Sequence, residues 1–242
     1  MTSTALITGS SGGIGKAIAI KLAPSYKTLF LHYCSSKDQA VELAEELTRT
    51  TGTACIPVYA DLSSSTGIEE LISQTGRSID ALILNSGSSH YGLFQDMKED
   101  EFHKMLALNL TSPMLLTKQF IPYMLSQKRG TVIAISSVWG ENGASCEAVY
   151  SAAKGGMNTF IRSIAKELGP NGIRANAVAP GAVDTAMMLD FTEEDITELK
   201  DSIPAGRLGR PEEIADAVHF LSGESSSYIN GHILAVNGAW YT

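Results

Sequence analysis

A chain of 242 residues, 44% hydrophobic and 18% charged, is long enough to form one large α/β domain with a substantial core. Its formal net charge of −8 argues against non-specific nucleic-acid binding, which needs a basic face. Cys34, Cys55 and Cys146 form no CxxC pair that would suggest a zinc site, no apolar run approaches the ~18 residues of a membrane span, and no basic cleavable leader precedes the first strand, so a cytoplasmic protein with no metal, membrane or nucleic-acid partner is expected.

TALIT (4–8) reads as the first strand, and TGSSGGIGKAIAIKLA follows with glycines at 9, 12, 13 and 15 leading into a helix near 14–23. At such a turn, backbone N–H groups and the positive end of the helix face an anionic ligand, and glycine permits close approach and positive φ. The spacing is TG-x-x-x-G-x-G rather than G-x-G-x-x-G, so a phosphate cradle and a purely structural tight turn both fit it. TLFLHY (28–33) is the second strand and ends on Tyr33, where a carboxylate would accept the ribose 2′-OH of NAD. Cys34, Ser35, Ser36 and Lys37 follow, supplying hydroxyls and one cation, which favours NADP(H). Lys37 also suits the start of a solvated helix over 37–50.

ACIPVYA (54–60), a helix near 65–75 and DALILN (80–85) continue the alternation, and 99–127 is predicted as one long helix. Pro113 lies inside it and has no N–H for the carbonyl four residues back, that of Asn109. A kink there either frees the Asn109 oxygen to hold a water or is filled by neighbouring side chains. GTVIAIS (130–136) is the fifth strand, with Ser137 just beyond its carboxyl end, where open parallel sheets bind ligands. Ser137 could donate to a developing oxyanion; Ser136 is its nearest competitor, alternation sends the two different ways, and a turn role fits either.

In VYSAAKGG (149–156), part of a helix near 149–169, Tyr150 and Lys154 share one face. A nearby ammonium is expected to lower the phenol pKa from ~10, making it a usable proton donor or acceptor. Ser151, Ala152 and Ala153 between them leave room for a cofactor. IRANAVA (173–179), a helix near 211–222 and ILAVN (233–237) complete the pattern. Nearly continuous apolar strands alternating with helices predict a doubly wound, Rossmann-type seven-stranded parallel sheet with helices on both faces. One domain over 1–242 is expected, with an insertion near 186–208 that reads as a substrate lid or as a solvated excursion.

Together these motifs resemble the short-chain dehydrogenase/reductase family along essentially the whole chain. Gly9, Gly13 and Gly15 fit its glycine loop, YSAAK fits its Tyr-x-x-x-Lys, and Ser137 stands 13 residues before Tyr150, at family spacing. The resemblance implies that Tyr150 is the catalytic acid/base and that Lys154 tunes it and binds the nicotinamide ribose. It implies that Ser137 orients the carbonyl and Asn109 supports a proton relay. Cofactor binding is implied for Gly9, Ser11, Gly12, Gly13, Ile14 and Gly15, and for Tyr33, Cys34 and Ser35. The same holds for Asp61 and Leu62 near the adenine, Asn85 and Gly87 after the fourth strand, and Pro180, Gly181, Val183 and Thr185 around the nicotinamide.

Within the family the chain is most similar to the 3-oxoacyl-[acyl-carrier-protein] reductases, which implies a homotetramer and a carrier-protein contact at Lys128 and Arg129. Departures weigh against that subgroup. Leu84 replaces a family asparagine, Gly12 stands where NADPH-dependent members often carry arginine, Asn171 replaces a common arginine, and NGA (237–239) replaces DGG. Three functions follow: NADPH-dependent reduction of a 3-oxoacyl thioester, oxidoreduction of another small ketone or alcohol, or redox sensing without turnover. Ser88, His90, Trp139, Cys146, Met187 and Met188 are the expected pocket residues that choose between substrates. Trp240 and Tyr241 at the tail suit a subunit interface.

Overall fold

The computed structural model describes residues 3–188 and 191–241. Seven strands form one sheet: β1 (Thr4–Ile7), β2 (Thr28–Tyr33), β3 (Ala54–Tyr59), β4 (Ala81–Leu84), β5 (Gly130–Ile135), β6 (Ile173–Pro180) and β7 (Ile233–Val236). All neighbours pair in parallel, in the order β3-β2-β1-β4-β5-β6-β7. The order reverses between β1 and β4, and such a switch opens a crevice at the carboxyl ends of the strands.

Side-chain alternation explains why the strands are apolar throughout. Leu6, Leu82, Val132, Ala134 and Ala177 face one layer, where they pack with Leu116, Phe120, Met157 and Ile161. Ala5, Ile7, Ile83, Ile133 and Val178 face the other, against Ile18, Leu22, Leu43, Leu47, Ile214 and Val218. Helices α3 (Gly67–Thr75), α5 (Ser112–Gln127) and α7 (Ala148–Leu168) contribute to the first layer; α1 (Gly13–Leu22), α2 (Lys37–Thr51) and α9 (Pro211–Ser222) build the second. Phe120 has no exposed surface, and burying a side chain of that size contributes about 1.5–3 kcal/mol. Among the described residues, no helix is long and apolar enough to cross a membrane.

The segment predicted as one helix is divided. α4 (Glu99–Leu106) passes into a π-helical turn at Ala107–Thr111 and then into α5. The Ser112 N–H reaches the Ala107 carbonyl, five residues back. Pro113 follows at the start of α5 with no N–H to give, so the chain meets the proline by widening its helix rather than by a simple kink. Two short helices were also not expected: α6 (Trp139–Asn142) and α8 (Glu193–Ser202). α8 lies in the interval expected to be a lid, of which Leu189 and Asp190 are outside the described residues. It begins with a reciprocal cap, in which Thr192 Oγ1 accepts from the Asp195 N–H at 3.2 Å and Asp195 Oδ2 accepts from the Thr192 N–H at 2.9 Å.

His32, for which the sequence suggested no role, ties the sheet to the glycine loop. It is 2% exposed near the end of β2. Its Nε2 lies 3.0 Å from the Ala60 carbonyl, which can only accept, so Nε2 carries the proton. Nδ1 then accepts from the Gly9 N–H at 3.0 Å. Burial holds the imidazole down to about 4. The unfolded chain, with a His pKa near ~6.5, therefore takes up a proton before the folded chain does, and stability falls as pH drops through that window. Replacing His32 with Asn, which cannot titrate there, should remove up to about 3 kcal/mol of this acid-induced loss. Thermal melts from pH ~7 down to ~4 check this; equal acid sensitivity in the two proteins would show that His32 is not the group involved.

Candidate active site

The carboxyl ends of β1, β4 and β5 carry the loops expected to act. Gly9 and Gly13 have left-handed φ of +65° and +52°, which explains the need for glycine at both. A Cβ at Gly15 would overlap the Gly9 carbonyl oxygen, so α1 can approach β1 only with glycine there. Ser11 and Ile14 are half-buried, and Gly12 is exposed with open space where a side chain would project. Asn85 Nδ2 donates to the Thr8 and Gly9 carbonyls at 3.0 and 2.9 Å, locking the loop to the end of β4. Thr185 sits against Gly13, its methyl 3.3 Å from where a Cβ would stand, so the 181–185 segment closes on the glycine loop. Gly181 is anchored by its N–H on the Val236 carbonyl at 3.0 Å, Val183 bridges to Gly209, and the Pro180 carbonyl accepts from the Val138 N–H at 3.0 Å.

At the end of β2, Tyr33 is buried against the Tyr59 ring, with centroids 5.8 Å apart, and Cys34 and Ser35 are exposed. Asp61 spends one carboxylate oxygen on the N–H and hydroxyl of Ser63, at 2.9 and 2.7 Å, and this holds its carboxyl below the usual range. The Leu62 side chain is core, and its carbonyl accepts from Ser112 Oγ at 2.6 Å.

The four reactive candidates converge. Lys154 is 5% exposed; its Nζ donates to the Ile135 carbonyl at 2.9 Å and lies 5.5 Å from the centre of the Tyr150 ring. Ser137 follows β5 and accepts from the Trp139 N–H at 3.1 Å, so its own proton is available to Tyr150, with which it hydrogen-bonds, or to a substrate oxygen. Ser136 is turned away and donates to Asn158 Oδ1 at 2.6 Å, which leaves Ser137 as the serine beside Tyr150. Asn109, in the π turn, donates through Nδ2 to the Ser88 and Met105 carbonyls at 3.0 and 3.1 Å. Its Oδ1 is buried without a hydrogen-bond partner and lies 2.7 Å from where a Cβ on Gly87 would stand; Lys154 Nζ is 3.4 Å from the same point. The acceptor presented here is thus the side-chain oxygen, and Gly87 is the residue that leaves space beside it. A cradle bounded by glycines, the amino end of a helix and a buried ammonium suits a dinucleotide with its phosphates and ribose hydroxyls.

The electrostatics differ from the expectation in one respect. Burial pushes the Tyr150 phenol up to about 12, with the Ser137 hydrogen bond pulling it down and the nearby Glu147 carboxylate adding to the rise. The neighbouring ammonium does not bring it below the ordinary value. Burial also brings Lys154 down to about 8.

Comparison with known proteins agrees with this geometry. The family model for enoyl-(acyl carrier protein) reductase matches residues 9–240. An uncharacterized oxidoreductase, YmfI, of Bacillus subtilis (strain 168) is 51% identical over 241 residues, covering 100% of both chains. The 3-oxoacyl-[acyl-carrier-protein] reductase FabG of Aquifex aeolicus is 37% identical, with 98% of this chain and 96% of that one covered. Among solved structures, a putative NAD(P)-dependent gluconate 5-dehydrogenase from Beutenbergia cavernae, with bound NADP, superposes with a TM-score of 0.92 at 30% identity, covering 98% of this chain and 96% of that one. The chain belongs to the short-chain dehydrogenase/reductase family. It is an oxidoreductase that works with a nicotinamide cofactor.

In this short-chain dehydrogenase/reductase the protonated phenol of Tyr150 is the resting form across neutral pH, while Lys154 loses its charge on the alkaline side. The rate of carbonyl reduction should therefore be flat below neutrality and fall by about one proton's dependence as pH rises through the Lys154 value of about 8. A pH–rate profile that stays flat to pH ~10 would remove the ammonium from the mechanism.

Proposed function

We propose that this chain reduces the ketone of a 3-oxoacyl thioester to the 3-hydroxyacyl form with NADPH. The observation that carries the reading is the pocket beside Tyr150. Phe94, Met97, Met105 and Val149 give it an apolar wall, and the residues lining it include no lysine or arginine. Its one carboxylate, Glu147, would repel an anionic sugar acid, whereas an aliphatic acyl chain meets matching surface. Of the expected pocket residues, His90 and Cys146 line this wall, and Ser88 enters through the carbonyl that Asn109 holds. Trp139 acts behind Ser137, and the Met187 side chain lies outside those described. The relative from Aquifex aeolicus, a 3-oxoacyl-[acyl-carrier-protein] reductase by name, supports the same substrate class.

The nicotinamide cofactor, held over the glycine loop and beside Lys154, would supply hydride to the carbonyl carbon. Ser137 donates to the carbonyl oxygen as negative charge builds there. Tyr150 then gives that oxygen its proton, completing the alcohol, and regains one through Lys154 and Asn109. Preference for the phosphorylated cofactor rests on the end of β2, which presents Cys34 and Ser35 and no carboxylate at 33–37, and on the NADP bound in the related structure. We include in the proposal a homotetramer and an acyl carrier protein docked at Lys128 and Arg129. Arg129 pairs with Asp80 at 3.1 Å, at the amino end of β5. That is about 20 Å from Ser137 by strand length, so docking there suits delivery to another subunit's pocket.

The test follows loss of NADPH absorbance with acetoacetyl-CoA as the ketone. Turnover faster with NADPH than with NADH is expected, and Tyr150→Phe should reduce kcat by roughly a thousandfold while leaving NADPH affinity intact. No turnover of this ketone, with cofactor binding demonstrated separately, would reject the thioester reading. A second variant probes the cofactor. Cys34→Asp places a carboxylate where the 2′-phosphate would lie, and should raise the KM for NADPH by roughly tenfold relative to that for NADH. An unchanged ratio would rule out this position as the discriminator.

A further inference from the structure

We propose that the carboxyl-terminal aromatics Trp240 and Tyr241 act through Trp139 as a clamp that positions Ser137 for catalysis; the proposal rests on the assignment of Ser137 and Tyr150 as the reactive pair. All three rings touch. Trp139 and Trp240 have centroids 5.0 Å apart, Trp139 and Tyr241 5.2 Å, and Trp240 and Tyr241 5.0 Å, in tilted or edge-on arrangements. Such offsets are the favoured geometry for aromatic pairs. The sequence suggested that Trp240 and Tyr241 meet another subunit; in this chain they pack on the segment that follows Ser137.

Trp139 touches both elements that deliver the reacting hydroxyls. Its backbone N–H donates to Ser137 Oγ, occupying a lone pair and leaving the serine proton directed elsewhere. Its side chain bears on the carboxyl of Glu147, the residue at the amino end of α7, the helix that carries Tyr150. Trp139 itself opens α6, a helix of only four residues. So short a helix has little stability of its own, and its orientation has to come from packing. α7 holds its backbone, with Asn158 Nδ2 donating to the Gly140 carbonyl at 3.3 Å, and the tail packs on the Trp139 ring. Asn237 Nδ2 donates to the Tyr241 carbonyl at 2.6 Å, the Ala239 N–H donates to Asn237 Oδ1 at 3.0 Å, and the Trp240 N–H donates to the Asn237 carbonyl at 3.1 Å. Ala239 takes a left-handed φ of +65°, unfavourable for a residue with a Cβ, and this turn directs the two rings back onto Trp139.

The test compares Trp240→Ala, Trp240→Phe and Tyr241→Ala with the natural chain, in both the Ser137 and the Ser137→Ala background. Readouts are kcat and KM with acetoacetyl-CoA, NADPH affinity, melting temperature and tryptophan emission. Trp240→Ala should lower kcat by roughly tenfold or more with NADPH affinity and melting temperature little changed, and Trp240→Phe should restore most of the rate. In the Ser137→Ala background the same change should cost almost nothing further, because the effect passes through Ser137. An undiminished kcat, an equal loss in both backgrounds, or a loss that tracks melting temperature would overturn the clamp. The chain has two tryptophans and both belong to it, so emission reports on the clamp without turnover. In Trp240→Phe the remaining emission is that of Trp139, and Glu147→Gln should shift it; no shift would remove the Glu147 contact and, with it, the clamp's link to α7. Should the natural chain turn over no ketone, the substrate reading fails; the clamp then stands only if Tyr241→Ala shifts the Trp139 emission in the Trp240→Phe background.

Discussion

A cation buried in a protein must be given a partner or lose its charge, and the site is arranged around how Lys154 meets that demand. Among the described residues, no carboxylate pairs with it. Its solvation is replaced by one backbone oxygen, that of Ile135 at the end of β5. The bond fixes α7 against the last residue of that strand, and two residues later stands Ser137. Tyr150, one turn earlier on α7, is thereby brought to the serine. The ammonium thus sets the distance between the two hydroxyls as well as the charge beneath them. An ammonium has three donors, and Ile135 takes one; the side facing Gly87 and the Asn109 amide suits the ribose hydroxyls proposed for it.

The same demand explains the small residues around the site. Gly87 is the place where the Asn109 amide and the Lys154 ammonium come nearest the end of β4, and any Cβ would displace the amide oxygen. Gly140 meets Lys154 in the same way from α6, where a Cβ would lie 2.8 Å from the lysine carbonyl carbon. A larger side chain at either position would separate groups that act only in contact. Glycine here reflects close packing around a polar centre rather than flexibility.

How much of this was legible in the sequence depended on whether the signal was periodic or local. Strands buried on both faces write themselves as apolar runs, so all seven were readable to within a residue or so at each end. The Tyr-x-x-x-Lys pair was readable because a helix converts a spacing of four into a contact. The π turn at Ala107–Thr111 was not, because Pro113 announces a missing hydrogen bond without saying whether the chain bends or widens to absorb it. α8 is written only in its cap signal, TEED, set in polar surroundings. His32 could have been suspected, since a histidine in a strand covered on both faces needs two partners, but nothing local names Gly9 and Ala60 as those partners. Trp139 was invisible as a positioning residue, because its partners lie about a hundred positions further along the chain. The depressed phenol pKa expected for Tyr150 failed for a related reason. Spacing reports the ammonium, whereas the enclosure that outweighs it is a property of the whole fold.

That reversal bears on the direction of the chemistry. A phenol held up to about 12 is a proton donor at rest, which is what carbonyl reduction asks of it. Alcohol oxidation would need the phenolate, and two features of the site oppose it: burial of the hydroxyl, and the negative charge of Glu147 on the same helix end. Oxidised nicotinamide is itself cationic and works against both when bound. The site without it therefore holds Tyr150 in its proton-donating form, and that depends partly on where the Glu147 carboxylate sits. Trp139 holds that carboxylate with its side chain while its backbone N–H fixes Ser137. One residue thus ties the hydroxyl proposed to stabilise negative charge on the substrate to a carboxylate that adds to the effect of burial on Tyr150. A displacement of Trp139 would disturb both at once, weakening oxyanion stabilisation and proton donation in the same motion.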